Sequence, residues 1–319
     1  MDALNFRRML RRRLMGFGRV VLCGLKEEKE RGIVKRKINY FEGWYFKSQS
    51  KKLTAAFIPA VSYDSHGRPS GSLQIVFPDT AYCIEYDQPV NMSSGSDVFV
   101  TLGKNVFSND YLHLDICKDN LKLTGDLYSQ GEKGAVFNVM GPLSVVPMEC
   151  KHRILSMETM LSGGLRINGE EFSFDGGKGY LEMDYGFSFP ERYLWSQCNW
   201  FAEADCRITC AVATLPFGAF RPRGCFACID YGGRRYKLAS YTGAKADLIS
   251  ADGFRIRQGG LVIEGRRSGG TAVELKSPQA ALMSGRTDEY LICGMEYRLE
   301  DRGKEVFSLR SEKGSFEFF

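Results

Sequence analysis

Tyr180, Glu182 and Asp184 recur at two-residue spacing between Gly179 and Gly186. On an extended strand they share one face, while Leu181, Met183 and Tyr185 take the other. Two carboxyls on one face raise each other's proton affinity, and an apolar cavity raises it further. A carboxyl that keeps its proton at neutral pH can serve as a general acid. Asp184 is the expected acid, Glu182 the group that tunes or orients it, and Tyr180 a substrate contact beside them. The same pattern fits two solvated carboxylates, or carboxylates bonded to backbone amides around Gly186.

A second alternation places Trp195, Gln197, Asn199 and Phe201 on one strand face, with Leu194, Ser196, Cys198 and Trp200 on the other. A polar pair between aromatics can orient a substrate in a mostly apolar pocket; Gln197 and Asn199 can equally serve buried backbone groups. Glu42 and Trp44 share a face near the start of the first strand run, where Trp44 is a structural plug or a ligand contact. His152 stands near Glu149, as an acid–base pair or as an ordinary hydrogen-bonded histidine.

Cys206, Cys210, Cys225 and Cys228 lie within 23 residues and could ligate zinc. They also sit in apolar, strand-like runs, where unpaired cysteine behaves as a small hydrophobe. Ten scattered cysteines suit a reducing cytoplasm and no small disulfide framework. Gly163-Gly164, Gly176-Gly177 with Gly179, and Gly232-Gly233 lack the following helix and Lys-Ser/Thr of a phosphate loop, and read as turn glycines. No Ser/His/Asp triad or nucleic-acid module is evident.

The elements that must position these residues are strands. Thr54–Tyr63, Ser72–Phe77, Ala81–Tyr86, Val98–Leu102, Tyr111–Cys117 and Leu121–Leu127 are short and rich in β-branched and aromatic residues, with turn signals between several of them. Leu261–Arg266 and Thr271–Lys276 flank Ser268-Gly269-Gly270 as an expected hairpin, and Tyr290–Leu299 and Val306–Arg310 read as closing strands. A helical turn is expected near Pro278–Met283. Such strands over 319 residues indicate an all-β chain of barrels or sandwiches. Hydrophobic residues at 44% and charged residues at 25% exclude a disordered chain. No apolar run approaches the ~18–20 residues of a membrane-spanning helix.

Residues 1–37 hold twelve Lys/Arg against four Asp/Glu, so the other 282 carry a net charge of −3 although the whole is +5. An acidic body disfavours nucleic acid as a partner. In the arm, Phe6, Leu10, Leu14 and Phe17 recur at helical spacing among arginines. It is a basic amphipathic helix for peripheral contact with an anionic membrane, a secretory signal interrupted by Arg19, or a solvated extension. Tyr40-Phe-Glu and Tyr180-Leu-Glu, each followed three residues later by Tyr, echo one another 140 residues apart. The echo suggests a duplicated unit: arm and linker 1–37, first domain 38–172, second domain 173–319.

Gly43-Trp44-Tyr45 looks like the Gly-x-Trp opening of lipocalin-type barrels. A more specific resemblance runs through Phe41-Glu42-Gly43-Trp44-Tyr45-Phe46-Lys47, Gly141-Pro142-Leu143, Met148–His152, Leu161-Ser162-Gly163, Gly176–Glu182, Ser188-Phe189-Pro190 and Trp195–Asn199, in order. These motifs resemble the tocopherol cyclase family and, more distantly, bacterial carotenoid hydratases. The resemblance implies two lipocalin-like antiparallel β-barrels packed together. It implies cofactor-independent, metal-free cyclisation of a prenylated hydroquinone to a chromanol, with a hydrophobic prenylquinol as the small-molecule partner. The family usually reads Glu-Lys-Asp-Trp-Gly where this chain has Glu182-Met183-Asp184-Tyr185-Gly186 followed by Phe187, so Lys and Trp are lost from the most characteristic stretch. A carrier of isoprenoid, quinone or lipid, and a hydratase adding water to an isoprenoid double bond, are the competing readings. The expected location is cytoplasmic, peripheral at a membrane if the arm binds one.

Overall fold

Runs of β-branched and aromatic residues broken by polar turns form strands because each strand can bury its side chains on a pleated surface. The computed structural model describes residues 37–87, 92–93, 98–131, 139–145, 148–215, 221–279 and 282–319. The expected helix of the arm lies outside them.

The first sheet contains β1 (Tyr40–Gln49), β2 (Thr54–Tyr63), β3 (Pro69–Val76), β4 (Ala81–Tyr86), β5 (Met92–Ser93), β6 (Phe99–Leu102), β7 (Asn105–Ser108), β8 (Tyr111–Lys118), β9 (Leu121–Gly131), β10 (Cys150–Ile167), β11 (Glu170–Ser173) and β12 (Gly177–Gly186). The second contains β13 (Tyr193–Cys198), β14 (Cys206–Thr214), β15 (Arg223–Tyr231), β16 (Arg234–Ala239), β17 (Lys245–Ser250), β18 (Gly253–Gln258), β19 (Leu261–Ser268), β20 (Val273–Gln279), β21 (Leu282–Asp301) and β22 (Lys304–Phe318). Every pairing is antiparallel. The first sheet runs β4-β3-β2-β1-β12-β10-β9-β8-β7-β6-β5, with β11 beside β10. The second runs β16-β15-β14-β13-β22-β21-β19-β18-β17, with β20 beside β21.

Tight turns with left-handed residues connect several hairpins. Asn168 and Gly169, at φ 50° and 95°, join β10 to β11, and Arg302 and Gly303, at 52° and 75°, join β21 to β22. Such turns match the right-handed strand twist.

Each sheet curls around its own core. Trp44, Phe57, Leu73, Leu102, Phe107, Leu114, Leu123 and Leu181, from strands across the first sheet, pack into one cluster. Leu194, Ile208, Ile229, Leu238, Ile256, Ile263, Tyr297 and Phe316 do so in the second. A third cluster lies between the sheets, where Tyr45, Ile154, Met157 and Tyr180 of the first meet Trp195, Phe226 and Leu291 of the second. Gln74 fastens the two through Lys276, donating from Nε2 to its carbonyl at 2.9 Å and accepting its N–H at 2.7 Å.

Several expectations are corrected. The sheets divide between Gly186 and Tyr193, so the boundary drawn at 172/173 cuts the first sheet and β12 belongs to it. The echoed Tyr-x-Glu segments do not open two units; they lie on adjacent strands, with Tyr45 opposite Glu182. β19 and β20 form no hairpin with each other. Both pair with the 20-residue β21, β19 against its second half and β20 against its first. Strand, not a helical turn, occupies 273–279 and resumes at Leu282. Gly163 is no turn glycine but lies inside β10 at φ +98°, where a Cβ would come 2.3 Å from the Asp126 carbonyl oxygen.

Candidate active site

β12 lies between β1 and β10, and its register sets out the first wall of the site. Asp184 is opposite His152 on β10 and opposite Gly43 on β1; Glu182 is opposite Ile154 and Tyr45. Alternation turns Leu181 and Met183 into the first core. Tyr180, Glu182 and Asp184 therefore face the second sheet. The interiors of both sheets are packed with side chains, so neither holds the apolar cavity expected around the carboxyls. The carboxyls face a cleft of about 200 Å³ between the sheets instead.

In the cleft His152 is clamped between two carboxylates. Its Nδ1 is 2.9 Å from Asp184 Oδ1, and its Nε2 is 3.2 Å from Glu182 Oε2. Burial alone would favour loss of the imidazolium proton, but Asp184 and Glu182 outweigh it and hold the histidine pKa well above its ordinary range. Nδ1 is hydrogen-bonded to Asp184, while Nε2 lies near Glu182 without hydrogen-bond geometry. Glu182 Oε2 also accepts from the Tyr180 hydroxyl and, at 3.1 Å, from Trp195 Nε1. Glu182 is 5% exposed, whereas the Asp184 side chain is 24% exposed and its oxygen also accepts from the Cys150 thiol at 3.7 Å. Glu182 is accordingly the anchor of the cluster, and Asp184 and His152 are the groups that open on the cleft. The expected partner of His152 was Glu149; the structure pairs it with Asp184 and Glu182.

His152, Glu182 and Asp184 are also the one group among the described residues whose ligand atoms, within 4.8 Å of one another, could surround a metal ion. A metal needs an unprotonated imidazole nitrogen, and here both nitrogens face carboxylate oxygens. The donor set is built to hold a proton.

The walls are apolar and aromatic. Trp195 stands edge-on to Tyr45 at 5.3 Å, and Phe226 lies 5.3 Å from the His152 ring. Phe41, Phe189, Tyr193 and Leu275 line the same space, and Gly43 and Ala60 leave it open beside Asp184. A Cβ on Gly43 would stand 3.7 Å from that of Ala60.

The other expected site residues divide sharply. Trp195 and His152 line the cleft. Trp44 borders it while filling the first core, so its structural part is plain. Tyr180 reaches the site only through Glu182. Glu42 is buried beneath the Tyr40 hydroxyl and does not line the cleft. Gln197 accepts from buried Lys47 at 2.9 Å, and Asn199 donates to the Gly179 and Met157 carbonyls at 3.0 and 3.3 Å. Both are interface residues that satisfy buried groups. The four clustered cysteines make no zinc site: Cys206, Cys210 and Cys225 point into the second core and Cys228 points out of it.

Sequence reasoning missed the opposite wall. Glu317 on β22 lines the cleft and accepts from the Tyr193 hydroxyl at 2.7 Å; Glu289, fully buried on β21, accepts from the Tyr45 hydroxyl. The available signal was an acid between aromatics in Phe316-Glu317-Phe318.

Residues 126–248 match the family model described as tocopherol cyclase-like. A probable chloroplastic tocopherol cyclase of Oryza sativa subsp. japonica is 28% identical over 124 residues, which is 37% of this chain and 25% of that protein. The chloroplastic tocopherol cyclase of Zea mays is 27% identical over 126 residues, 38% of this chain and 27% of that protein. The match therefore spans about a quarter of the length of these relatives. Among solved structures, kievitone hydratase from Nectria haematococca aligns with a TM-score of 0.51 at 13% identity, over 87% of this chain and 88% of that one. A putative AttH from Nitrosomonas europaea aligns at 0.52 and 14%, over 88% and 92%. CghA crystallised with Sch210972 aligns at 0.55 and 11%, over 88% of each. These likenesses are of fold. Met183 and Tyr185, which depart from the usual family pattern, both pack on the core side of β12. The segment that carries His152, Glu182, Asp184 and Trp195 is thus, by its sequence, tocopherol cyclase-like.

Proposed function

We propose that this chain is an enzyme of the tocopherol cyclase-like kind, built on two lipocalin-like barrels, that closes a prenylated hydroquinone to a chromanol in the cleft between its sheets. The observation that carries this reading is the proton-holding His152–Asp184–Glu182 cluster set in an aromatic-walled, largely apolar cleft. Cyclisation adds a proton to one alkene carbon and leaves a tertiary cation on the other. The phenol oxygen bonds to that cation and its own proton departs, with no net oxidation or reduction. The site must therefore exchange two protons with the substrate, and Asp184 and His152 are the first-wall groups positioned to do so. The faces of Trp195, Phe226 and Tyr45 offer negative quadrupoles to the cation. Ionic and hydrogen-bonding partners fix the cluster before substrate arrives, which is the preorganisation that lowers such barriers.

The test is incubation of the purified full chain with phytyl and geranylgeranyl hydroquinones, followed by mass and ultraviolet detection of chromanols. Asp184→Asn should lower turnover by about 10²–10⁴-fold, the usual worth of a positioned proton-transfer group. Undiminished turnover in that variant removes Asp184 from the chemistry. A product heavier by one water would make the protein a hydratase, and ligand retained unchanged would make it a carrier.

A further inference from the structure

We propose that Glu317 is the acid that protonates the alkene, backed by Glu289 as a positioning residue, and that Asp184 on the facing wall, oriented by His152, takes the phenolic proton. This rests on the cyclase reading and divides its two proton transfers between two walls. Glu317 and Glu289 are directly opposite one another across the β21–β22 ladder. Side chains so placed have Cβ atoms about 4.5–5.5 Å apart, where two like charges repel. Glu289 is 0% exposed, and its Oε2 has no hydrogen-bond partner among the described residues. Two carboxyls in that position hold a proton between them at neutral pH.

Glu317 is the member that reaches the cleft. Its Oε2 accepts from Tyr193, whose hydroxyl is in turn 2.6 Å from Thr287 Oγ1. That leaves Oε1 to carry the proton. On the neighbouring strand Glu317 is opposite Trp195, whose indole donates to Glu182. One tryptophan therefore separates the two acidic groups, and it lines the cleft between them.

The charged and titratable groups around Glu317 are Glu289 on β21, Tyr193 on β13, Glu182 and Asp184 on β12, His152 on β10, and Tyr45 and Lys47 on β1. Burial, then Glu289, then Glu182 and Asp184 push the Glu317 carboxyl well above its ordinary range, against the Tyr193 hydrogen bond. The two walls thus differ as an acid and a base should. On the first wall Asp184 and Glu182 flank the His152 ring at 2.9 and 3.2 Å; on the second Glu317 faces another carboxyl, Glu289, across the ladder. In the step, the Glu317 O–H bond breaks as the new C–H bond forms, and the phenol O–H bond breaks as the C–O bond forms. The proton released to the first wall balances the one spent by the second, and solvent exchange restores both.

The experiment compares wild type, Glu317→Gln and Glu289→Gln by chromanol formation across pH and by infrared difference spectroscopy of the carboxyl carbonyl stretch. Wild type should show a protonated carboxyl at neutral pH that Glu317→Gln removes, with turnover down about 10²–10⁴-fold and the thermal midpoint retained. Glu289→Gln should stay active with the alkaline limb of kcat/KM moved to lower pH, since Glu317 loses its repelling neighbour. Full turnover in Glu317→Gln, or a neutral-pH spectrum without that band, overturns the assignment. If the band is present and lost in Glu317→Gln but wild type makes no chromanol, the cyclase reading falls and the acid's catalytic role with it. The infrared result then shows that the protonated carboxyl itself was read correctly.

Discussion

Glu289 offers a quantitative check on the electrostatics of the second wall, independent of any substrate. Burial raises its pKa from 4.5 to about 7; the Tyr45 hydrogen bond and Lys47 oppose the rise and Glu182 adds to it. The native state therefore binds this proton more tightly than the unfolded chain does. Below the unfolded pKa both states hold it and folding is unaffected. As pH climbs through the native pKa, the folded protein must carry a buried charge and stability falls. A shift of that size is worth about 3 kcal/mol at 1.36 kcal/mol per unit. Glu289→Gln keeps the shape and an acceptor for Tyr45 but cannot ionise. In urea unfolding, its stability relative to wild type should grow by about 2–3 kcal/mol between about pH 5 and about pH 8.5. Wild type and variant shifting in parallel across that window would refute the premise that Glu289 is a buried acid forced to hold its proton.

The tryptophans and the cysteines give two further expected outcomes. Trp44 is fully buried and its indole N–H finds no acceptor among the described residues, whereas the Trp195 N–H donates to Glu182. Trp44→Phe should therefore lose packing volume but no hydrogen bond, while Trp195→Phe should lose about 1–3 kcal/mol more by leaving buried Glu182 short of a donor, both read from urea unfolding. Thiol labelling of the native protein should mark exposed Cys117 well before Cys228 and Cys293, whose buried thiols are each pushed up to about 12. Equal labelling rates would contradict the described packing.

Strand identity was legible because it is written at short range. Thr54–Tyr63 and Ala81–Tyr86 begin and end in the structure where their polar turns place them. Strand partnership was less so, and β21 shows why. The Gly269-Gly270 turn joins two runs that look like a hairpin. The lowest-energy partner for both is a single long strand that closes the sheet, and no local pattern reveals that length. The 172/173 boundary failed for a related reason. β12 completes the first sheet between β1 and β10, so the chain returns to its first strand before the second sheet begins.

The site turned on a distinction that alternation cannot make alone. Period-two spacing correctly set Tyr180, Glu182 and Asp184 on one face, but it is silent on whether that face turns toward a sheet's own core or toward another sheet. The physical discriminator is polarity. A curled sheet's interior tolerates few ionisable groups, and here the packed cores take Leu181, Met183 and Phe46. The opposite faces of the same strands carry Glu182 and Lys47, and those of β21 and β22 carry Glu289 and Glu317. A buried strand whose second face holds isolated acids and lysines among aromatics is better read as facing a partner sheet. Charges there can find partners from both sides, as Lys47 finds Gln197 and Glu182 finds Trp195. On that rule Glu42 would still mislead, since it shares Trp44's side of β1 and is nonetheless buried. Glu317, flanked by two phenylalanines, would have been found. The acid on the second wall was missed because the paired carboxyls on β12 already supplied a sufficient local story, and the groups that complete the site converge only when the sheets pack.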